Sequence, residues 1–196
     1  MGLRPPLRVA VMVSGRGSNL RALHEKAPEQ GYVIIGVVSN NPTAPAVDYA
    51  RDQGLAVRIV DHRQFATRDA FEVALAAELD DLAPDVIALA GFLRVLGTDF
   101  VGRYRGRLLN IHPSLLPAFP GLDTHRRALA SGARFHGATV HLVTDAVDGG
   151  PIIAQTGLTV NPGESPAALA ARVLTLEHAL YPYVLGGFAR GETSDR

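Results

Sequence analysis

The sequence predicts an α/β protein built on a doubly wound, mostly parallel sheet with helices on both faces. Short apolar segments rich in valine and isoleucine alternate with segments of helical periodicity. A glycine-containing turn follows the first apolar segment directly, at residues 14–19. The length of 196 residues suffices for one core and does not require a second domain. We therefore expect a single domain over residues 1–190 and a flexible tail over residues 191–196.

The pattern predicts each element in turn. Apolar runs of strand length lie at residues 7–13, 33–38, 56–60, 86–90 and 108–112, and two further runs lie at 136–143 and 152–160. Helical spacing follows Asn19 and recurs at residues 46–53, 67–79 and in a short segment that ends at Ala130. The last helix begins with Ser165 as N-cap and Pro166 at its first position.

Composition narrows the class of partner. The 19 Lys and Arg residues balance the 19 Asp and Glu residues, so no broad field points to nucleic acid or to an anionic membrane. The chain has no cysteine, which removes disulfides, thiolate nucleophiles and thiolate metal sites. Residues 1–6 are too short for a secretory leader. We expect a cytoplasmic protein that binds neither nucleic acid nor membrane. We expect it to be a monomer or a homodimer.

The turn at residues 14–19 joins a strand to a helix and can hold an anion on the N–H groups of the first helical turn. It is not a dinucleotide fingerprint, because Leu20 stands where a third glycine is required. It is not a triphosphate loop either, because it lacks the Gly-Lys-Ser/Thr sequence. From the residues alone, a monophosphate site and a purely structural turn are both open.

The stretch at residues 107–117, which contains N-I-H-P-S-L-L-P, predicts a strand that ends near His112, because Pro113 and Pro117 cannot continue a central strand. Asn110 and His112 are two residues apart and therefore leave the strand on the same face. A neutral donor beside a proton carrier suits a carbonyl that becomes a tetrahedral oxyanion. The competing interpretation is an ordinary turn with a buried histidine.

Two further segments have a functional and a structural interpretation. Residues 91–96 follow a strand, so they open at the same edge as His112, yet an apolar run of this kind usually packs in a core. Arg94 is the exception within it, because a charge there needs a partner or an exit to solvent. Residues 144–151 are a loop in which Asp148 precedes two glycines, a common turn composition.

The stretch at residues 107–117 closely resembles the signature of the folate-dependent formyltransferases. Motifs at residues 14–19, 91–96, 148–150 and 177–178 appear in that family's order. The resemblance implies a Rossmann-like fold whose N-terminal half binds the ribonucleotide and whose C-terminal half binds folate. The implied reaction transfers the formyl group of N10-formyltetrahydrofolate to the amine of glycinamide ribonucleotide in purine synthesis, giving formylglycinamide ribonucleotide and tetrahydrofolate.

The resemblance also assigns residues. It implies that Asn110, His112 and Asp148 are catalytic, and that Asp148 favours the protonated form of His112. It implies phosphate binding by Gly17, Ser18 and Asn19, and ribose contact by Glu177, although Leu174 stands where a second polar partner is expected. The implied folate-binding residues are Arg68, Leu93, Arg94, Val95, Leu96, Asn110, His141, Thr144, Asp145, Ala146, Val147 and Asp148. For Arg68 a solvated helix face is the competing interpretation.

No metal is expected, because the chain has no cysteine and no His-x-His or HExxH spacing. His136 and His141 are an odd number of residues apart, so a regular strand directs them to opposite faces, which argues against a chelating pair. Without a cysteine or an evident activated serine, the amine is expected to attack the formyl carbon directly.

Three other functions compete. Formyltetrahydrofolate hydrolase and methionyl-tRNA formyltransferase share the resemblance, but they carry additional domains that we do not expect in this chain. A non-catalytic nucleotide- or folate-binding protein is the third, and it predicts binding without turnover.

Overall fold

The computed structural model describes residues 5–192 and contains one sheet with helices on both faces. Its strands are β1 (Leu7–Val13), β2 (Tyr32–Ser39), β3 (Val57–Ile59), β4 (Val86–Leu89), β5 (Leu108–His112), β6 (Phe135–Leu142) and β7 (Ile152–Thr159). Its helices are α1 (Ser18–Gln30), α2 (Pro45–Asp52), α3 (Arg68–Leu82), α4 (Thr98–Arg103), α5 (Thr124–Ala130) and α6 (Pro166–Arg190).

The strand order is β3-β2-β1-β4-β5-β6-β7. Strands β1 to β5 are parallel to one another. At one edge of the sheet, β6 pairs antiparallel with β5, and β7 pairs antiparallel with β6. The predicted fold class is therefore confirmed. The chain runs outward from β1 in both directions, so the carboxyl ends of β1 and β4 border the crevice where doubly wound sheets bind ligands.

Successive side chains of the central strands point to opposite faces of the sheet, and this divides the core into two layers. Val9, Val11 and Val13 of β1 pack with α1, α2 and α6 on one face of the sheet. Ala10 and Met12, which alternate with them, pack with α3 and α4 on the other face. A strand covered on both faces requires apolar residues in succession, which explains why β1 shows little alternation in its sequence.

The structure adds to the predicted elements at two places. Helix α4 was not predicted, because its six residues are too few to establish a helical period. Helix α6 extends as far as Arg190 and ends at Gly191, whose φ of 76° suits a C-terminal cap. The predicted tail thus begins with that cap, and its residues 193–196 lie outside the described ones. A single domain over residues 1–190 remains a prediction.

Candidate active site

The segments that follow three parallel strands lie at one edge of the sheet. Residues 14–19, which we call the phosphate turn, follow β1. Residues 91–97, which we call the folate loop, follow β4, and the prolines of the signature stretch follow β5. Residues 91–96 were predicted to open at the same edge as His112, and the order β1-β4-β5 makes all three segments neighbours.

Strand β5 presents its two polar side chains on one face, as predicted. Leu109 and Ile111 pack into the layer that contains α1 and α6, so Asn110 and His112 project from the opposite face. The strand ends at His112, where the prolines of the signature begin. The polar pair therefore stands at the carboxyl end of a buried strand, in surroundings that exclude most water.

His112 lies between two hydrogen-bond acceptors. Its Nε2 is 3.0 Å from the carbonyl oxygen of Phe119, and its Nδ1 is 3.4 Å from Oδ2 of Asp148. A carbonyl and a carboxylate can only accept, so each ring nitrogen is best satisfied when it carries a proton. The buried ring therefore has an acceptor beside each nitrogen, and a ring that carries both protons can donate to both.

Asp148 reaches this point from a loop that starts at the far end of β5. Because β6 is antiparallel to β5, residue 143 lies beside Leu108, and the following loop folds back along the strand to reach His112. The backbone N–H of Gly121 donates to Oδ2 of Asp148 at 2.7 Å. Burial raises the pKa of Asp148, but the hydrogen bonds from His141 and Gly121 and the charges of both histidines outweigh it and hold the pKa below its ordinary value.

His141 lies between Asn110 and Asp148 and contacts both. It is paired with Asn110 across β5 and β6, and the Asn110 Nδ2 lies 3.2 Å from its Nε2. Its Nδ1 donates to the carbonyl oxygen of Leu142 at 2.9 Å, and its Nε2 also lies 3.6 Å from Oδ1 of Asp148. With only 2% of its surface exposed, His141 orients Asn110 and Asp148. We call Asn110, His112, His141 and Asp148 the catalytic cluster.

The role of His141 as a bridge is the feature that sequence reasoning missed. The sequence places it in a strand, but the register that sets it opposite Asn110 depends on the pairing of β5 with β6. The contacts of Phe119 and Gly121 were also missed. Both are made by backbone groups of a turn, whose positions the side-chain pattern does not indicate. His141 was expected to bind folate, and that assignment stays a prediction.

Gly17 begins α1 and has a structural requirement of its own. Its φ is 78°, in the left-handed region, and a Cβ there would lie 2.7 Å from the Cβ of Ala46. Glycine has no side chain with which to cap the helix, so the N-cap position makes no side-chain hydrogen bond to the first turn. The N–H groups of the first turn, which include Ser18, are thus directed toward the crevice, as an anion site requires.

Asn19 and Glu177 are brought together from opposite ends of the chain. Nδ2 of Asn19 donates to Oε2 of Glu177 at 2.7 Å, and both side chains are buried. Burial raises the pKa of Glu177, and the hydrogen bond from Asn19 opposes that shift only partly. The predicted phosphate and ribose residues therefore form one continuous surface, whereas Leu174 adds no polar group to it.

The folate loop exposes most of its side chains. Leu93 and Val95 are 72% and 65% exposed, Arg94 is also exposed, and Leu96 is half-buried against the layer that contains α3. The alternative of a core-packed run is therefore wrong for Leu93, Arg94 and Val95, but it is right for Phe92, which is buried in the same layer. Exposed apolar side chains at the crevice are typical of a surface that a ligand covers.

Arg68 lies at the end of the folate loop. Its Nη2 is 3.3 Å from the position that a Cβ on Gly97 would occupy, and its Nε is 3.7 Å from Oε1 of Glu72. Glu72 is buried and accepts a hydrogen bond from the N–H of Gly97 at 2.8 Å. The guanidinium is half-exposed. Arg68 therefore lies beside the folate loop and is also solvated, as the competing interpretation expects.

The loop that carries Asp148 holds the remaining predicted folate residues. Thr144 is half-buried, and Asp145, Ala146 and Val147 are exposed. Their exposure leaves them accessible to a ligand, and their assignment to folate stays a prediction.

Further histidines lie behind the cluster. His136 is fully buried, its Nε2 lies 3.1 Å from Nδ1 of His125, and burial together with His125 and His112 lowers its pKa to about 4. Strand β6 is irregular between Val140 and His141, so the alternation predicted between His136 and His141 does not apply to it in simple form. Within residues 5–192, no group of three or more His, Asp or Glu side chains is arranged to hold a metal ion.

Comparison with known proteins gives one consistent result. The model of the formyl transferase family matches residues 7–185. Phosphoribosylglycinamide formyltransferase of Escherichia coli is 46% identical over 187 residues, which are 94% of this chain and 88% of that protein. The human trifunctional purine biosynthetic protein adenosine-3 is 40% identical over 186 residues, which cover 94% of this chain and only 18% of that protein.

Solved structures agree with the relatives. Phosphoribosylglycinamide formyltransferase of Coxiella burnetii superposes with a TM-score of 0.92 at 44% identity, over 95% of this chain and 88% of the other. The enzyme of Brucella melitensis superposes with a TM-score of 0.90 at 46% identity, over 97% and 100% of the two chains. In the described part of the chain, no helix has the length and hydropathy needed to span a bilayer.

Proposed function

Because this chain belongs to the formyl transferase family, we propose that it transfers the formyl group of N10-formyltetrahydrofolate to the amine of glycinamide ribonucleotide. The products are formylglycinamide ribonucleotide and tetrahydrofolate, and the reaction serves purine biosynthesis. The observation that carries the proposal is the position of His112, which lies 3.4 Å from Asp148 on the same strand face as Asn110.

The first step needs stabilisation of negative charge. The amine nitrogen attacks the formyl carbon, the carbonyl bond becomes a single bond, and its oxygen takes the negative charge. Asn110 supplies a neutral N–H to this oxygen, since the amide nitrogen carries two hydrogens and no charge. His112 supplies a second donor, and two fixed donors in a water-poor site are an effective oxyanion hole.

The second step breaks the bond between the carbonyl carbon and N10. N10 leaves as an amine only if it receives a proton, and the imidazolium of His112 is the donor in reach. The attacking amine must lose a proton, and the carboxylate of Asp148, which is ionised in the free protein, relays that proton away from the amine. The carboxylate also holds the positive charge of His112 in place before transfer.

The carbonyl oxygen of Phe119 occupies an acceptor position on His112. An oxyanion needs the same kind of contact, so this carbonyl has to give up its hydrogen bond when the formyl group is bound. Phe119 has a φ of 55°, in the left-handed region that non-glycine residues rarely adopt, so the turn that presents the carbonyl is locally strained. We propose that the formyl donor replaces Phe119 as the acceptor.

The two substrates approach the cluster from different sides. The phosphate turn and Glu177 hold the ribonucleotide, with its phosphate on the N–H groups of Gly17, Ser18 and Asn19. The folate loop and the loop at residues 144–148 hold the pterin and place N10 beside His112. Holding two reactants in one geometry contributes up to about 7–11 kcal/mol toward the barrier in favourable cases.

The test is a formyl-transfer assay with purified protein, glycinamide ribonucleotide and N10-formyltetrahydrofolate, with a control that lacks the ribonucleotide. We expect formylglycinamide ribonucleotide to form only in the complete mixture. Asn110→Ala should lower kcat by about 10²–10³, and His112→Ala by about 10²–10⁴, while both proteins stay folded. Equal release of tetrahydrofolate without the acceptor would identify a hydrolase, and binding of both ligands without turnover would identify a binding protein.

A further inference from the structure

One serine at the end of β1 connects the two substrate loops. Ser14 opens the phosphate turn, and its hydroxyl oxygen accepts a hydrogen bond from the N–H of Leu93 in the folate loop at 2.8 Å. The same hydroxyl donates to Oδ1 of Asn40 at 2.6 Å. A hydroxyl has one proton to donate and lone pairs to accept, so both bonds form together. The side chain therefore belongs to the phosphate turn and holds the folate loop.

The position of Ser14 is determined from several directions. Its N–H donates to the carbonyl oxygen of Gly91 at 3.1 Å, which ties the start of the folate loop to β1. Asn40 is only 3% exposed, and its carbonyl oxygen accepts from Nδ1 of His62 at 2.9 Å. Asn40, which accepts from the Ser14 hydroxyl, is thus itself held by His62 in the segment that follows β3.

We propose that Ser14 couples the two substrate sites, so that ribonucleotide bound at the phosphate turn tightens the binding of folate at the folate loop, and the reverse. The inference rests on the proposed function. A phosphate that stabilises the turn also stabilises the arrangement in which the Ser14 hydroxyl accepts from the N–H of Leu93. The second ligand then meets a loop with less conformational freedom left to lose, which is a sufficient cause of positive coupling.

The other end of the folate loop provides a matched control. There the N–H of Gly97 donates to Oε1 of the buried Glu72 in α3. The contacts of Glu72 among the described residues are with Gly97 and Arg68, not with the phosphate turn. Removing this contact loosens the folate loop as well, but it leaves the connection between the two sites intact.

The experiment measures coupling with a pair of ligands that cannot react. Tetrahydrofolate lacks a formyl group, so calorimetry can give its Kd without and with saturating glycinamide ribonucleotide, and the Kd of the ribonucleotide without and with tetrahydrofolate. We expect wild-type protein to bind each ligand at least about 5-fold more tightly in the presence of the other, by the same factor in both directions. In Ser14→Ala that factor should fall to about 1, whereas Glu72→Ala should bind tetrahydrofolate less tightly and keep the factor.

A second variant removes the same hydrogen bond from the loop side. Leu93→Pro lacks the N–H that Ser14 accepts and leaves the bond from Ser14 to Asn40 in place, so its coupling factor should also fall to about 1. A folded Ser14→Ala or Leu93→Pro protein with the wild-type factor overturns the proposal, and so does a wild-type factor of 1. A wild-type protein that binds neither ligand contradicts the proposed function instead.

Discussion

The catalytic cluster and the folate loop are built in opposite ways. In the cluster, side chains hold side chains: His141 contacts Asn110 and Asp148, Asp148 contacts His112, and the histidines are buried. In the folate loop, side chains of other elements hold the backbone, through the N–H groups of Leu93 and Gly97, and the apolar side chains remain exposed.

This difference separates chemistry from affinity. In the proposed mechanism, a side chain of the cluster is both a reagent and a partner of the other reagents, so its replacement should change the reaction step. A side chain of the folate loop has few partners in the protein, so its replacement changes mainly what a ligand can contact. We therefore expect cluster variants to alter kcat and loop variants to alter KM for the folate.

The largest expected effect is that of Asp148→Asn. The amide keeps the size of the carboxylate but loses its charge and cannot accept the proton of the amine, so kcat should fall by about 10²–10⁴, with KM for the folate changed by less than about 2-fold. Asp52→Asn, at an exposed position in α2, is the matched control and should leave both constants unchanged. A variant that raised KM and preserved kcat would break the comparison.

A second prediction concerns the buried histidine beside the cluster. Burial lowers the pKa of His136 to about 4 in the folded protein, against an ordinary value of 6.5, so the unfolded chain binds its proton first as the pH falls. Stability should therefore decrease between about pH 6.5 and pH 4, by up to about 3 kcal/mol from this group. Urea unfolding at pH 7, 5.5 and 4 measures the loss, and His136→Gln should show a smaller dependence than wild type. An unchanged dependence would exclude His136 as its source.

The loop side of the comparison is tested by the double variant Leu93→Ser, Val95→Ser. Both side chains are exposed, so stability should change little, while the loss of apolar surface covered by the pterin should raise KM for the folate about 10-fold. Val73→Ser provides the control, because Val73 is also 72% exposed but lies in α3. A fall in kcat comparable to that of Asp148→Asn would show that loop and cluster do not act separately.

The smallest effect is expected for Arg68→Gln. The guanidinium is half-exposed and screened by water, so its contribution to binding an anionic folate tail should amount to about 3-fold in KM. Added salt should reduce the difference between variant and wild type, since screening weakens the same interaction. A difference that persisted at high salt would indicate packing against the folate loop as its cause.

The strands that position the site were predictable because their signals are local. Prolines at 113 and 117 ended β5 where the structure ends it, and the spacing of Asn110 and His112 set their common face. The phosphate turn followed from glycines between a strand and a helix. The resemblance, more than the pattern, singled out Asp148, because its loop composition alone indicates only a turn.

The features that were not predicted are of two kinds. Some depend on the pairing of strands that are far apart in the sequence, and one is a helix with too few residues to show a periodic pattern. The contact between His141 and Asn110 requires the antiparallel register of β5 and β6, which no local period encodes. The bond from Ser14 to Leu93 requires β1 and β4 to be neighbours although β2 and β3 separate them in the chain. Helix α4 has one and a half turns of sequence and a weak pattern.

The central place of β1 also bears on the order in which the chain can assemble during synthesis. Its edge toward β4 stays unpaired until residues 86–89 have been made, so the early half of the sheet presents an open strand edge. The bond from Asn19 to Glu177 spans 158 positions and forms only when α6 docks. The proposed ribonucleotide site therefore stays incomplete until α6 has been made and has docked.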